Sequence, residues 1–237
     1  MRRARRRGLA HEAADRIRES ILQGTLPPGA PLREVDLATR LDVSRGSVRE
    51  GLALLERDGL VVSEWHRGAR VIELTPADVD EVYTVRGALE RLAAHRAATR
   101  VTDTHLAELS DLVDALDRAL SDDADAAELL RLDLGFHDLL YEIAANTRLV
   151  RAWWTLRSPV HLFQLTRIRR CHPHYRRDSV EEHRTLVDLI RRREADAAGR
   201  CAEAHVAASR DALIHMLGTD TPDTGPTDTD GGLGRLT

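Results

Sequence analysis

Between Thr75 and about residue 217 the apolar residues recur at helical spacing, and no strand-like alternation interrupts them, so this stretch must fold as packed helices. The pattern divides into helices over 76–99, 103–121, 123–145, 147–170, 178–194 and 195–217. Thr75 as a cap, Pro76 at the first helical position and Asp78 in the first turn form a strong start. Ser179 and Glu182 have the spacing of a capping box. Pro159 is expected to kink or break the fourth helix. Aromatic residues are 3% of the chain and hydrophobic residues 42%, so the core has to come from Leu, Val, Ile and Ala.

Before Thr75 the pattern is different. Ala13, Ile17, Ile21 and Leu22 mark a helix that Gly24 ends. Pro27, Pro28, Gly29 and Pro31 predict a stiff turn. A short helix follows around Glu34 to Leu41, and Ser44 can cap a third that runs to about Asp58. Leu60 to Val62 and Ala69 to Ile72 read as strands around a hairpin tip at His66, Arg67 and Gly68. The expected fold is mostly α. An N-terminal winged helix-turn-helix spans 9–74, and a C-terminal all-helical bundle of about six helices spans 76–218. Residues 1–8 and 219–237 are expected to be disordered tails.

Charge separates the two parts. Residues 1–70 carry 14 arginines against 10 acidic residues, and the other 167 carry 21 against 29, with a net charge of −4. A basic first part on an acidic body points to a polyanion partner for the first part only. Cys171 and Cys201 form no CxxC pair or disulfide framework, which fits a cytoplasmic setting. The basic start, Met1 to Arg7, is followed by no apolar signal-peptide core, and no apolar run approaches the roughly 18 residues of a membrane span.

The third helix begins Ser44-Arg45-Gly46-Ser47-Val48-Arg49. Arg45, Ser47 and Arg49 lie near its N-terminus, where such helices meet base edges and phosphates. Arg can fork onto guanine, and Ser44 and Ser47 suit phosphate oxygens. Arg67 at the wing tip can reach an adjacent backbone or minor groove. The Pro-Pro-Gly turn, "LRE…LA", "SR..VRE.L..LE.DGLV" and "RGARV" together resemble the DNA-binding domain of the GntR family over residues 9 to 72. The resemblance implies that Arg33, Arg45, Arg49 and Gly68 contact DNA. Ser47 stands where the motif usually has Pro, and Gly51 where it usually has Ala, so the recognition helix is expected to order fully only on DNA.

In the helical half, Asp133 and His137 stand at i and i+4 on a face that also holds Leu130, Leu134 and Tyr141. His183, near Leu186, Val187 and Ile190, and His205, beside Ala202 and Val206, also face inward. Four such buried groups are either separately hydrogen-bonded or gathered on a divalent cation such as Zn, Ni or Mn. Cys171-His172-Pro173-His174 looks like a metal clip without a second half. The patterns "D…H" at Asp133 to His137 and "H..LV..I.RRE…A…..H" from His183 to His205 resemble the FCD domain of the FadR-type branch of the GntR family, in its shorter, VanR-like form. That resemblance implies a divalent metal on Asp133, His137, His183 and His205 at the floor of an effector cavity.

Arg86, in "VYTVRGALE", matches a family Arg that can pair with an effector carboxylate; the alternative is a salt bridge to Glu90. The function expected is a homodimeric regulator that binds an inverted-repeat operator in double-stranded DNA and answers to a small organic acid. A metal-dependent enzyme and a pure metal sensor are the competing classes. Against the enzyme, no nucleophile or general base stands at a defined spacing from the site.

Overall fold

In a computed structural model of the chain, the described residues are 3–64, 66, 68–171 and 178–218, with side chains described from residue 8 onward and not at Cys171 or Asp178. Twelve elements follow in order among them: α1 (Arg3–Gln23), β1 (Pro31–Leu32), α2 (Glu34–Leu41), α3 (Arg45–Arg57), β2 (Val61–Glu64), β3 (Gly68–Val71), α4 (Pro76–Arg100), α5 (Asp103–Ser121), α6 (Ala126–Ile143), α7 (Thr147–Cys171), α8 (Asp178–Arg191) and α9 (Ala195–Gly218). Helix α1 starts at Arg3, inside the run expected to be a disordered arm; its Ala and Arg are good helix formers. Residues 219–237 lie outside the described residues.

The N-terminal unit is three helices and a wing. Strands β2 and β3 pair antiparallel with Val61 opposite Val71 and Glu64 opposite Gly68. The stiff turn yields a strand that periodicity does not show: Pro31 and Leu32 pair with Arg70 and Ala69, giving the sheet order β1-β3-β2. Ile17, Ile21, Val48, Leu55, Leu60 and Val71 are almost completely buried between helices and sheet.

Helix α3 is continuous from Arg45 to Arg57. Ser44 caps it, its hydroxyl oxygen accepting from the Ser47 backbone N–H at 3.1 Å. That bond supplies the restraint a Pro at position 47 would give. Gly51 is where α1 crosses: a Cβ there would stand 3.0 Å from the Ala10 carbonyl oxygen.

The C-terminal unit is a bundle of six helices, α4 to α9, among the described residues. Thr75 and Asp78 close the expected capping box on α4. Thr102 and His105 close a further one on α5. Helix α7 continues through Pro159 and is not broken there. One local expectation fails. Glu182 does not serve a cap; its carboxylate meets the ring of His205, and Ser179 lies one residue inside α8.

Pro159 marks the junction of the two units. Gly59, at φ +70°, closes the turn after α3, and a Cβ there would fall 2.9 Å from Pro159 Cγ and 3.1 Å from the Thr155 carbonyl oxygen. Pro159 has no N–H to offer that carbonyl, so the α7 backbone is open where the first unit presses on it. Leu162, one turn on, is buried in the core of the first unit. Gly59→Ala is therefore expected to lower the melting temperature by about 2–8 °C, since left-handed strain and the clash add. Scanning calorimetry checks this, and an unchanged transition would contradict the close docking.

Candidate functional site

The inner face of α4 and the facing sides of α6, α8 and α9 build one polar cluster inside an apolar bundle. His137 and His183 are buried and His205 is 6% exposed. Their ring centroids lie 4.7 to 5.4 Å apart, and one nitrogen from each ring falls within 4.8 Å of the others. Asp133 stands beside them, with Oδ1 3.8 Å from His183 Nε2. The structure thus brings together all four residues singled out as ligands, with the three imidazoles closest.

Two carboxylates that the sequence reading did not assign to the site orient the rings. Glu90 Oε1 lies 2.5 Å from His137 Nδ1, and its Oε2 accepts from the Tyr141 hydroxyl at 3.0 Å. Glu182 Oε2 lies 2.5 Å from His205 Nδ1. Each carboxylate turns one ring so that its other nitrogen faces the cluster, the arrangement by which metal-binding histidines are held and made more basic. Burial raises the Glu90 carboxyl, but the His137 ring and Arg86 outweigh it and hold it at about 2. Burial, then the neighbouring His205 and His137 rings and Arg86, push His183 well below the usual imidazole range, so its ring is neutral.

Arg86 lies in the same cluster. Its side chain is 1% exposed, with Nε 3.6 Å from Glu90 Oε2, so the salt bridge to Glu90 is present. All three of its guanidinium nitrogens nevertheless lack a hydrogen bond. The group sits over the rings of Tyr83, at 5.4 Å, and Trp153, at 5.6 Å. Burial pushes the Tyr83 hydroxyl up to about 12, which keeps it protonated as a donor.

Ten buried side-chain polar atoms lack a hydrogen-bond partner among the described residues, and eight belong to this cluster: three in Arg86, two in His183, and one each in Tyr83, Asp133 and His137. Leaving one such group without a hydrogen bond costs about 1–3 kcal/mol, so the cluster suits groups that would supply the missing partners. Imidazole nitrogens and a carboxylate oxygen fit a divalent cation. The guanidinium, whose donors make no hydrogen bond, fits an anion.

The residues expected to meet DNA lie in the N-terminal unit. Arg45 and Arg49 expose 64% and 67% of their side chains at the start of α3. Ser44 and Arg33, the caps of α3 and α2, are exposed beside them. Ser47 differs from expectation. It is 4% exposed, with its hydroxyl 2.9 Å from that of Ser44, and it shapes the helix start rather than presenting a surface. Gly68 is exposed at φ +77° where the wing begins β3. Arg67, and His172 and His174 of the clip, lie outside the described residues. No helix among the described residues is long and apolar enough to cross a membrane.

A winged helix carrying exposed arginines, joined to a helical bundle with a buried polar cluster, defines a DNA-binding transcriptional regulator. The family model "Bacterial regulatory proteins, gntR family" matches residues 9–71, and the model "FCD domain" matches residues 81–208. The chain belongs to the GntR family of bacterial transcriptional regulators, with an FCD domain as its C-terminal part; it is a regulator and not an enzyme. It is 28% identical to the uncharacterized HTH-type transcriptional regulator YdhC of Bacillus subtilis (strain 168), over 86% of this chain and 90% of that one. It is 32% identical to a protein named "Probable D-xylose utilization operon transcriptional repressor" of Paenarthrobacter nicotinovorans, over 89% of this chain and 91% of that one. Its fold is similar to that of E. coli McbR/YncC, with a TM-score of 0.73 over 88% of this chain and 98% of that one at 21% identity.

Proposed function

We propose that this regulator is a cytoplasmic homodimer that binds an inverted-repeat operator, and that a small organic acid bound at a divalent cation in the bundle controls its affinity for DNA. The observation that carries this reading is the gathering of eight buried polar atoms without a hydrogen bond in one cluster. Asp133, His137, His183 and His205 would hold the cation, Zn, Ni or Mn by donor type. The cation would supply an electrophilic anchor for an anionic oxygen. Arg86 supplies the second anchor, a two-pronged donor for a carboxylate. The rings of Tyr83 and Trp153 lie against that guanidinium.

At the DNA end, Arg45 and Arg49 read base edges, while Arg33, Ser44, Gly68 and, by its place in the wing, Arg67 meet the backbone. Ser47 acts indirectly, by fixing the first turn of α3. A two-fold dimer doubles the few base pairs that one recognition helix reads.

Two connections can carry the signal. The segment 73–75 joins the wing to α4, which bears Arg86 and Glu90. Helix α7 bears Trp153, stacked on Tyr141 at 4.8 Å, and also Pro159 and Leu162, which dock on the DNA-binding unit. A ligand that draws Arg86 from the Trp153 ring moves both. It changes DNA affinity only if it binds the two arrangements unequally.

Arg86→Ala is expected to abolish stabilisation by a carboxylate effector and its effect on DNA binding, while operator affinity without effector is kept. A thermal-shift screen of carboxylates and sugar acids, followed by DNA titrations with each hit, tests this. Hits that stabilise Arg86→Ala as strongly as the parent rule out Arg86 as the anchor. Binding by amines or neutral compounds alone rules out the organic acid.

A further inference from the structure

We propose that Glu34 is a positioning residue for DNA recognition: it fixes the Arg49 guanidinium side-on, so that the end of the fork is presented to a guanine. The inference rests on the reading of Arg49 as a base contact.

Glu34 opens α2, where a carboxylate is favoured by the helix N-terminus. Its side chain is 27% exposed, against 67% for Arg49, so the acid is the anchored partner and the arginine the one reaching outward. Arg49 Nε donates to Glu34 Oε1 at 2.8 Å, and Nη2 donates to Oε2 at 2.7 Å. This pairing occupies one edge of the guanidinium. Both Nη1 hydrogens and the second Nη2 hydrogen remain, and one from each nitrogen forms the end-on donor pair that matches guanine O6 and N7. Arg45 Nη2 lies 3.9 Å from the same carboxylate, so one acid spans both recognition arginines.

A carboxylate on a phosphate-facing surface repels every DNA equally. What it can add is sequence-dependent, because a held guanidinium meets a guanine without losing rotamer freedom while a misplaced base cannot recruit it. Glu34 should therefore lower non-specific affinity and raise discrimination, whereas a residue that only supports the fold would move both affinities together.

The test is a set of anisotropy titrations with two duplexes, one selected from a random library by the parent protein and one scrambled. Glu34→Gln, Glu34→Ala, Arg49→Ala and the Glu34→Gln/Arg49→Ala double variant are compared with the parent. Both Glu34 variants are expected to lower the ratio of selected to scrambled affinity by about tenfold, with scrambled affinity equal or higher. In the Arg49→Ala background Glu34→Gln should cause no further loss of ratio. An equal fall on both duplexes, an unchanged ratio, or a full loss that persists without Arg49 overturns the positioning role while leaving Arg49 as a base reader. A ratio unchanged in Arg49→Ala itself overturns the reading of Arg49, and this proposal with it.

Discussion

Arg45→Ala and Arg49→Ala are each expected to weaken operator binding by about 5- to 150-fold, the range for losing one bidentate arginine–guanine contact. Both side chains are largely exposed at the start of α3, Arg49 held side-on by Glu34, while the opposite face of the helix, Val48, Leu52 and Leu55, is buried. Truncation should therefore cost binding without costing the fold. Scrambled DNA should lose far less, because phosphate contacts are spread over several groups and one fewer lowers the salt slope by only about one. Gel-shift titration of each variant, and of the pair, checks this. A double variant that keeps full operator affinity would remove these arginines from the recognition surface.

The second large effect is on stability. A cation bound only to the folded bundle, at about a thousand times its dissociation constant, adds about 4 kcal/mol. In a chain of this size that corresponds to roughly 8–16 °C in melting temperature, so a strong chelator is expected to lower the transition by that order. His183→Ala gives the sharper contrast. Both of its ring nitrogens are buried without a partner, so in the metal-free protein the ring carries an unmet desolvation cost. Its removal should cost the metal-free protein little beyond lost packing on Phe136, whose ring centroid lies 4.3 Å away. In the loaded protein it should cost most of the metal's contribution. The variant is thus expected to melt near the chelated parent and to ignore the chelator. Melting curves with and without chelator decide this; a His183→Ala protein still destabilised by chelation to the parent's extent would exclude that ligand.

What could be read from the sequence follows from how local each signal is. The bundle helices come from apolar spacing within each segment, and all six are present within a few residues of expectation. Asp133 and His137 are one helical turn apart, so their common face is visible in the sequence. His183 and His205 show through the apolar residues beside them. The misses are tertiary. Glu182 has the spacing of a cap, but its partner is His205, 23 residues away. Glu90 pairs with His137 across 47 residues, and nothing in its own surroundings announces that. Pro159 reads as a helix breaker, yet it is accommodated where Gly59 of the other unit meets it. Gly51 reads as a weak point in a helix and instead gives α1 room to cross. Ser47 reads as a surface polar residue, but the hydroxyl of Ser44 draws it inward.

The central claim, a buried cation site at the heart of the sensor bundle, is tested most directly by native mass spectrometry of the intact protein, reconstituted with Zn, Ni or Mn and exchanged into volatile buffer. The account expects a dimer carrying one divalent ion per chain, and the same dimer without ions for the His183→Ala protein. A parent dimer that holds none of these ions after reconstitution, or a His183→Ala dimer that holds them in full, would contradict it.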